Sequence, residues 1–410
     1  MKKWNLIIVF IFILIFNACI KDESKELENC ILNGVVVCQD PLWKVPHDIE
    51  NRVFATIKPY YTFDGNVIVG TNKAGKFGLR CMEIETGHII WEHFFNLTDE
   101  YLIIRDTYFN AEQKFLVFSL GHWGNIKHIK LDVNTGEILW ESAIETFNTI
   151  EAYGDHYYCT VRSSGDVHQI YKVSIATGQA EYYYETDLPP DPDYNAQRSN
   201  GAYPFEYNGK ECLFIGIMQM ASPNSANYYY SLIDANTQER LLKHVPIESG
   251  LEKVDVHAED IYVFTGNGYK IFNFETLSFE KEIKLLDRGE YVYHIFYKDK
   301  LILGLDYYGL DGYDDNGQSH THFIIDVNTH TKQYGIDDIN VDPASVMDNI
   351  LYFLSGDTYY AYNINTGKCV LKFDPSGWET SFCTATYKNA KGEKFVIVDD
   401  TRHTYCYEGI

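Results

Sequence analysis

The sequence contains no Gly-X-Ser-X-Gly elbow, no His-Glu-X-X-His pair and no phosphate-cradling glycine loop, which removes the simplest routes to serine hydrolysis, zinc proteolysis and nucleotide chemistry. Basic residues are scarce: 34 Lys and Arg stand against 58 Asp and Glu, a formal net charge of −24. A body this acidic repels phosphate polymers, so nucleic acid is a poor partner, although charge says nothing about fold. No helical period is sustained beyond the first residues. The apolar run Leu6 to Phe16 is eleven residues long. As a helix it would reach about 16 Å, too short for a bilayer core of roughly 30 Å, so no permanent transmembrane anchor is expected.

What the N-terminus does contain is an export signal. Met1-Lys2-Lys3 is a positive start, Leu6 to Phe16 the apolar stretch, and Asn17-Ala18-Cys19 puts a small residue before a cysteine. Phe16-Asn17-Ala18-Cys19 resembles a bacterial lipobox, which implies acylation of Cys19 and membrane attachment through an N-terminal lipid. Residues 1–18 are then a lipoprotein signal peptide, 19–30 a polar tether and 31–410 one domain. Cleavage leaves 392 residues and, without Lys2 and Lys3, a charge of −26. The tether residues Lys21-Asp22-Glu23-Ser24-Lys25-Glu26 resemble acidic signals that bring some Bacteroidetes lipoproteins to the cell surface, so the expected address is the outer membrane, on its surface or periplasmic face.

One pattern recurs seven times: an apolar strand, Asp or Asn, then Thr often followed by Gly, then another strand. Its instances are Ile84-Glu85-Thr86-Gly87, Asp132-Val133-Asn134-Thr135-Gly136, Ile175-Ala176-Thr177-Gly178, Asp234-Ala235-Asn236-Thr237, Phe274-Glu275-Thr276, Asp326-Val327-Asn328-Thr329 and Asn363-Ile364-Asn365-Thr366-Gly367. Thr86 to Thr366 is 280 residues in six steps, about 47 per repeat, the length of a four-stranded propeller blade. Asn and Asp bond their own backbone and Gly accepts a positive φ, so each motif predicts a tight hairpin. Gly is missing after Thr237, Thr276 and Thr329, which predicts another turn type there.

After Phe373 only three strands remain, Ser381 to Tyr387, Lys394 to Val398 and His403 to Tyr407, while Pro41-Leu42-Trp43-Lys44-Val45 resembles the outer strands at Trp91 and Trp140 with no blade of its own. The inference is that it closes the last blade, giving eight and protecting the sheet edges. The alternative is seven blades with an irregular extension. Thr-Gly turns followed by Trp91 and Trp140 resemble the repeats of quinoprotein-like (PQQ-repeat-like) eight-bladed β-propellers. That resemblance covers about residues 31 to 410 and implies an all-β fold of four-stranded antiparallel blades.

In such propellers one face carries the hairpins between strands one and two and between three and four, here uniformly short. The opposite face is expected to carry expanded loops: Leu120 to Asn125, Met220 to Ser225, Asp306 to His320, and Asp187 to Asn200 between blades. Loops on a rigid scaffold are where binding is built, although loop drift is an equal reading. Candidate binding residues there are His122, Trp123, Tyr194, Tyr307, Tyr308, Asp311, Asp314, Asp315, His320 and His322. Aromatics among them could face sugar rings or a protein hot spot. The Asp306 to Gly317 stretch breaks the alternating oxygen ligands of a calcium loop, and His320 with His322 names no third zinc ligand, so no metal is assigned.

Quinoprotein dehydrogenases imply vicinal cysteines beside the quinone and an Asp with calcium ligands. This chain has no adjacent cysteines, so no catalytic residue and no cofactor is carried over. Of the eight cysteines after Cys19, Cys383 and Cys406 fall on strands separated by a third, about two strand spacings apart and beyond bridging reach. Cys30 with Cys38 remains open as a pair, and buried thiols are expected elsewhere. The expected function is a noncatalytic envelope lipoprotein binding a protein partner by its loop face. Its architecture is similar to the propeller lipoprotein of the outer-membrane β-barrel assembly machinery. The alternative is surface carbohydrate binding or, less readily, cleavage.

Overall fold

The computed structural model describes residues 31–32, 35–36, 39–47, 61–74, 76–95, 103–122, 125–142, 148–162, 168–185, 196–222, 225–287, 289–306, 320–338, 344–355, 358–373, 381–400 and 403–410. Regular structure among them is β-strand throughout, arranged as eight antiparallel four-stranded blades in a ring, one blade carrying two further short strands. Blades 1 to 7 are consecutive in sequence, starting at Tyr61, Ile103, Asn148, Ala196, Leu251, Glu290 and Ser345. In each, the chain runs from the inner strand at the axis to the outer strand at the rim. Inner strands of neighbouring blades touch one another at five of the eight junctions.

Burial follows from that arrangement. A middle strand has a neighbouring blade on both sides, so it is apolar on both faces: Ile350–Ser355 is buried at every position. An outer strand has solvent beyond it and alternates, as in Ile138–Ser142. The core is a set of slabs between blades, such as the one where Ile68, Leu79 and Phe95 of blade 1 meet Leu116, Phe118 and Leu131 of blade 2.

The last blade is closed as expected. Trp43–Pro46 pairs antiparallel with His403–Glu408, Trp43 opposite Cys406 and Pro46 opposite His403. The three strands of the C-terminus complete it, and Cys383 and Cys406 are indeed separated by the strand Lys394–Asp400. Just past the closing strand, His47 Nε2 lies 2.9 Å from Asp399 Oδ2, Thr404 Oγ1 donates to the same oxygen at 2.7 Å, and His47 Nδ1 reaches Thr71 Oγ1 of blade 1 at 3.4 Å. Arg80 of blade 1 donates to Pro46 O at 3.2 Å. One addition was not foreseen. Ile31–Leu32 and Val35–Val36 form an outer extension of blade 7, with Val36 parallel to Leu371.

The hairpin between third and outer strands corrects one expectation. Where Gly is present it takes a positive φ: 71° at Gly87, 74° at Gly136, 69° at Gly178 and 66° at Gly367. Where Gly is absent the turn is the same one, with Gln238 at 58°, Leu277 at 51° and His330 at 54°. The Asx side chain sets it: Asp132 Oδ1 accepts from the N–H of Asn134 at 2.8 Å and Thr135 at 3.1 Å, and Asp234, Asn273, Asp326 and Asn363 repeat the pattern.

Gly therefore answers to a second demand. An added Cβ at Gly87, Gly136 or Gly178 would lie 2.6–2.7 Å from the ring of Trp43, Trp91 or Trp140 of the preceding blade. Those indoles donate to Ile84 O at 2.8 Å, Val133 O at 2.9 Å and Ile175 O at 2.9 Å. Each Trp thus reaches over the next blade's turn and latches onto it, and the glycine makes room. Tyr183 bonds Ala235 O in the same way at 3.0 Å, and Tyr334 bonds Ile364 O.

Candidate functional site

Two faces follow from the topology. The face of the short hairpins carries the repeated turns just described. The opposite face carries the second-to-third-strand hairpins and the connections between blades, and there the blades differ.

Two of the four expanded loops are not loops. In blade 2 the second strand runs to His122 and the third starts at Asn125, paired directly opposite it. In blade 4 the pairing continues to Ser222 opposite Ser225. Small and polar residues in these stretches read as loop, yet the ladder continues through them because both partners extend together. The pairing in blade 4 covers Cys212 to Ser222, eleven residues, against eight from Phe115 to His122 in blade 2 and six from Ile350 to Ser355 in blade 7. At about 3.3 Å per residue the blade-4 hairpin stands roughly 10–16 Å beyond these two. It is three-stranded for most of that height, since Ala196 pairs with Met220. Asn227 is exposed on it, and Tyr228 and Tyr229 are half-buried.

Of the candidate residues, Trp123, Tyr194, Tyr307, Tyr308, Asp311, Asp314 and Asp315 lie outside the described residues, as do Cys19, Cys30 and Cys38. His122 ends its strand, and His320 opens the third strand of blade 6 opposite Asp306. His322 is a core residue and not part of a displayed loop. It is fully buried, with Nδ1 2.7 Å from Tyr293 Oη and its ring 4.2 Å from that of Phe353 in blade 7. A signal for this was present: His128 sits at the same distance before its Asx residue, four positions ahead of Asp132, and bonds Tyr157 Oη of the next blade at 2.7 Å. Burial pushes the His128 imidazole down to about 3, so it packs as a neutral ring.

The axis between blades 5 and 6 carries polar groups that sequence reading missed. His294 Nε2 lies 2.9 Å from Asp255 Oδ2, and His294 Nδ1 2.8 Å from Tyr291 Oη. Burial alone would raise the Asp255 carboxyl. The hydrogen bond and charge of His294 outweigh it, with the Val256 N–H and Lys253, and hold it below the usual carboxylate range. Nearer the second face, the Glu252 carboxyl is raised, first by burial and then by the charge of Glu290. Asp255 and His294 are 39 positions apart, and only the ring brings them together. Between blades 3 and 4, His156 Nε2 meets Glu211 Oε1 at 2.7 Å, and Tyr158 donates to the same oxygen at 2.8 Å.

These groups span blade interfaces. His47, Asp399 and Thr404 combine hydroxyl, imidazole and carboxylate, but the hydroxyl donates to the carboxylate at 2.7 Å and lies 3.3 Å from the imidazole Nε2, and all three are buried. That arrangement clasps two blades and does not activate a nucleophile. Burial raises the thiols of Cys81 and Cys406 to about 12 and of Cys212 to about 11, so they are poor nucleophiles. Among the described residues there is no group of three or more metal-ligating side chains. No helix among the described residues is long and apolar enough to cross a membrane.

No protein-family model and no curated protein matches the chain. Solved structures do. The computationally designed Ika8 protein aligns over 91% of this chain and 100% of its own, at 12% identity and TM-score 0.57. BamB from Moraxella catarrhalis aligns over 90% and 98%, at 13% identity and TM-score 0.52. The likeness is one of fold. Prolyl oligopeptidase B from Galerina marginata aligns over 84% of this chain but 55% of its own, at 12% identity and TM-score 0.51. At such identities a shared ring of blades carries no activity with it.

Proposed function

We propose that this protein is a noncatalytic lipoprotein of a bacterial envelope, attached by an acylated Cys19, whose propeller holds a protein partner on the face carrying the second-to-third-strand hairpins. The observation that carries this reading is the blade-4 hairpin, a paired three-stranded projection rising beyond blades 2 and 7 from a face whose counterpart is seven repeats of one tight turn. A projection built of strands keeps its shape when it meets a partner, which lowers the ordering cost of binding. The pairs His156–Glu211 and Asp255–His294 lend support, because each bridges two blades and so serves the rigidity of the ring. The fold shared with BamB is in keeping with the reading and is fold analogy alone.

The test is to tag the C-terminus, crosslink intact cells, purify from membranes and identify what accompanies the protein by mass spectrometry. A reproducible membrane-protein partner, lost when residues 307–319 are removed or the 220–225 hairpin tip is shortened, is the expected result. Recovery of the lipoprotein alone contradicts a stable assembly role and moves the question to glycan arrays. Labelling with a fatty-acid probe should vanish in Cys19→Ala.

A further inference from the structure

Six large apolar side chains are exposed among the described residues: Leu42, Ile90, Leu139, Tyr182, Val256 and Ile410. Four of them lie on, or directly before, the outer strands of consecutive blades, 8, 1, 2 and 3. Leu42, Ile90 and Leu139 also share one repeat position, immediately before the latch residues Trp43, Trp91 and Trp140, and are 53%, 46% and 51% exposed. In blades 1 and 2 this position is where the outer strand slips by one residue against the third. The slip turns the tryptophan inward to the next blade and leaves its predecessor on the rim. Blades 5 and 6 place Glu280 and Gln333 at the same position, so the fold itself asks for no apolar residue there.

Blade 7 shows what such a rim can take. Its residue at this position, Val370, is half-buried. Beside it the chain's own Val35–Val36 is laid along the outer edge, Val36 parallel to Leu371, and Val36 and Val370 pack on the blade-7 core together. The covered rim of blade 7 is continuous round the ring with the rims of blades 8, 1 and 2, where among the described residues the outer strand pairs on one side only. An outer strand with a one-sided ladder offers N–H and C=O groups to an added strand, and an apolar residue beside it offers a side-chain contact.

We propose that the rims of blades 1 and 2 each bind an extended apolar peptide segment of a partner protein, added as an edge strand as Val35–Val36 is added to blade 7. This surface is separate from the loop face, so either reading can fail without the other. The probe is a synthetic peptide of the sequence Ile31 to Val37, carrying a photoreactive group, added to the purified full chain.

Saturable labelling should map to Ile89–Phe94 and Ile138–Ser142 and be competed by unlabelled peptide. It should weaken about tenfold in the double variant Ile90→Lys, Leu139→Lys, whose unfolding midpoint stays that of the parent because both residues are exposed. Equal labelling of the polar rims at Ser278–Lys284 and Thr331–Asp338 overturns the proposal, as does labelling confined to Lys368–Phe373. Unchanged binding by the double variant also overturns it. Flotation with phosphatidylethanolamine–phosphatidylglycerol vesicles that depends on Ile90 and Leu139, without peptide labelling, reassigns the rim to lipid and ends the peptide reading.

Discussion

The arc from blade 8 to blade 3 and the arc from blade 4 to blade 6 are built on one turn but joined differently. In the first, Trp43, Trp91 and Trp140 each cap the next blade's turn and a glycine receives the ring. In the second, Leu241, Leu242, Phe274 and Leu277 pack together where blade 4 meets blade 5. At the next junction His330 takes the glycine position and lies 3.3 Å from Tyr269 Oη of blade 5. The difference separates two reasons for a recurring glycine that a single motif confounds. Positive φ is tolerated by Gln238, Leu277 and His330 because the Asx bonds hold the turn; contact with an indole is not tolerated by any side chain.

The largest effect that would break this comparison is the loss of a latch. Trp91→Ala should cost about 3 kcal/mol in denaturant unfolding, combining lost burial with an orphaned Val133 carbonyl, whereas Gln238→Ala in the other arc should change stability by well under about 1 kcal/mol. Gly136→Ala should cost about 2 kcal/mol or more, since the methyl meets both an unfavourable φ and the Trp91 ring. A latch that slides aside without cost would show no such penalty.

Acid unfolding sharpens the comparison further. The folded value of His128 lies below its ordinary 6.5, near 3, so the unfolded chain takes up a proton first as pH falls. The associated stability is complete above about pH 6.5 and declines below it, by about 2 kcal/mol at pH 5. His128→Gln should flatten that limb in a pH series of unfolding midpoints. The smallest effect has the opposite sign: Gln238→Gly relieves an exposed left-handed residue and should stabilise by about 0.5–1 kcal/mol, read as a raised midpoint.

Much of the fold was legible because the repeat is punctuated by turns whose chemistry is local. Asx, Thr and Gly within five residues specify a hairpin without reference to the rest of the ring, and Leu42-Trp43 matches Ile90-Trp91 closely enough to place the closing strand. What escaped depends on distant partners. That Gln238 and Leu277 can stand in the glycine position follows from the missing tryptophan one blade earlier. The continued pairing at Ser222 and Ser225 is a property of two strands read together, while each alone resembles a loop. The Asp255–His294 pair and the Val35–Val36 extension bring together residues 39 and more than 300 positions apart. His322 looked like a loop ligand beside an acidic stretch, and only its alignment with His128 marks it as core.

Hydrogen exchange followed by mass spectrometry, on the parent and on Trp91→Ala, tests the central claim most directly. Slow exchange in the outer strands of blades 1 and 2 should become fast in the variant, together with the turn at Asp132 to Gly136, while Arg240–Ile247 and Ser278–Lys284 keep their parent rates. Uniform acceleration round the ring, or no change at the Asp132 turn, would contradict the account of separately latched and packed arcs.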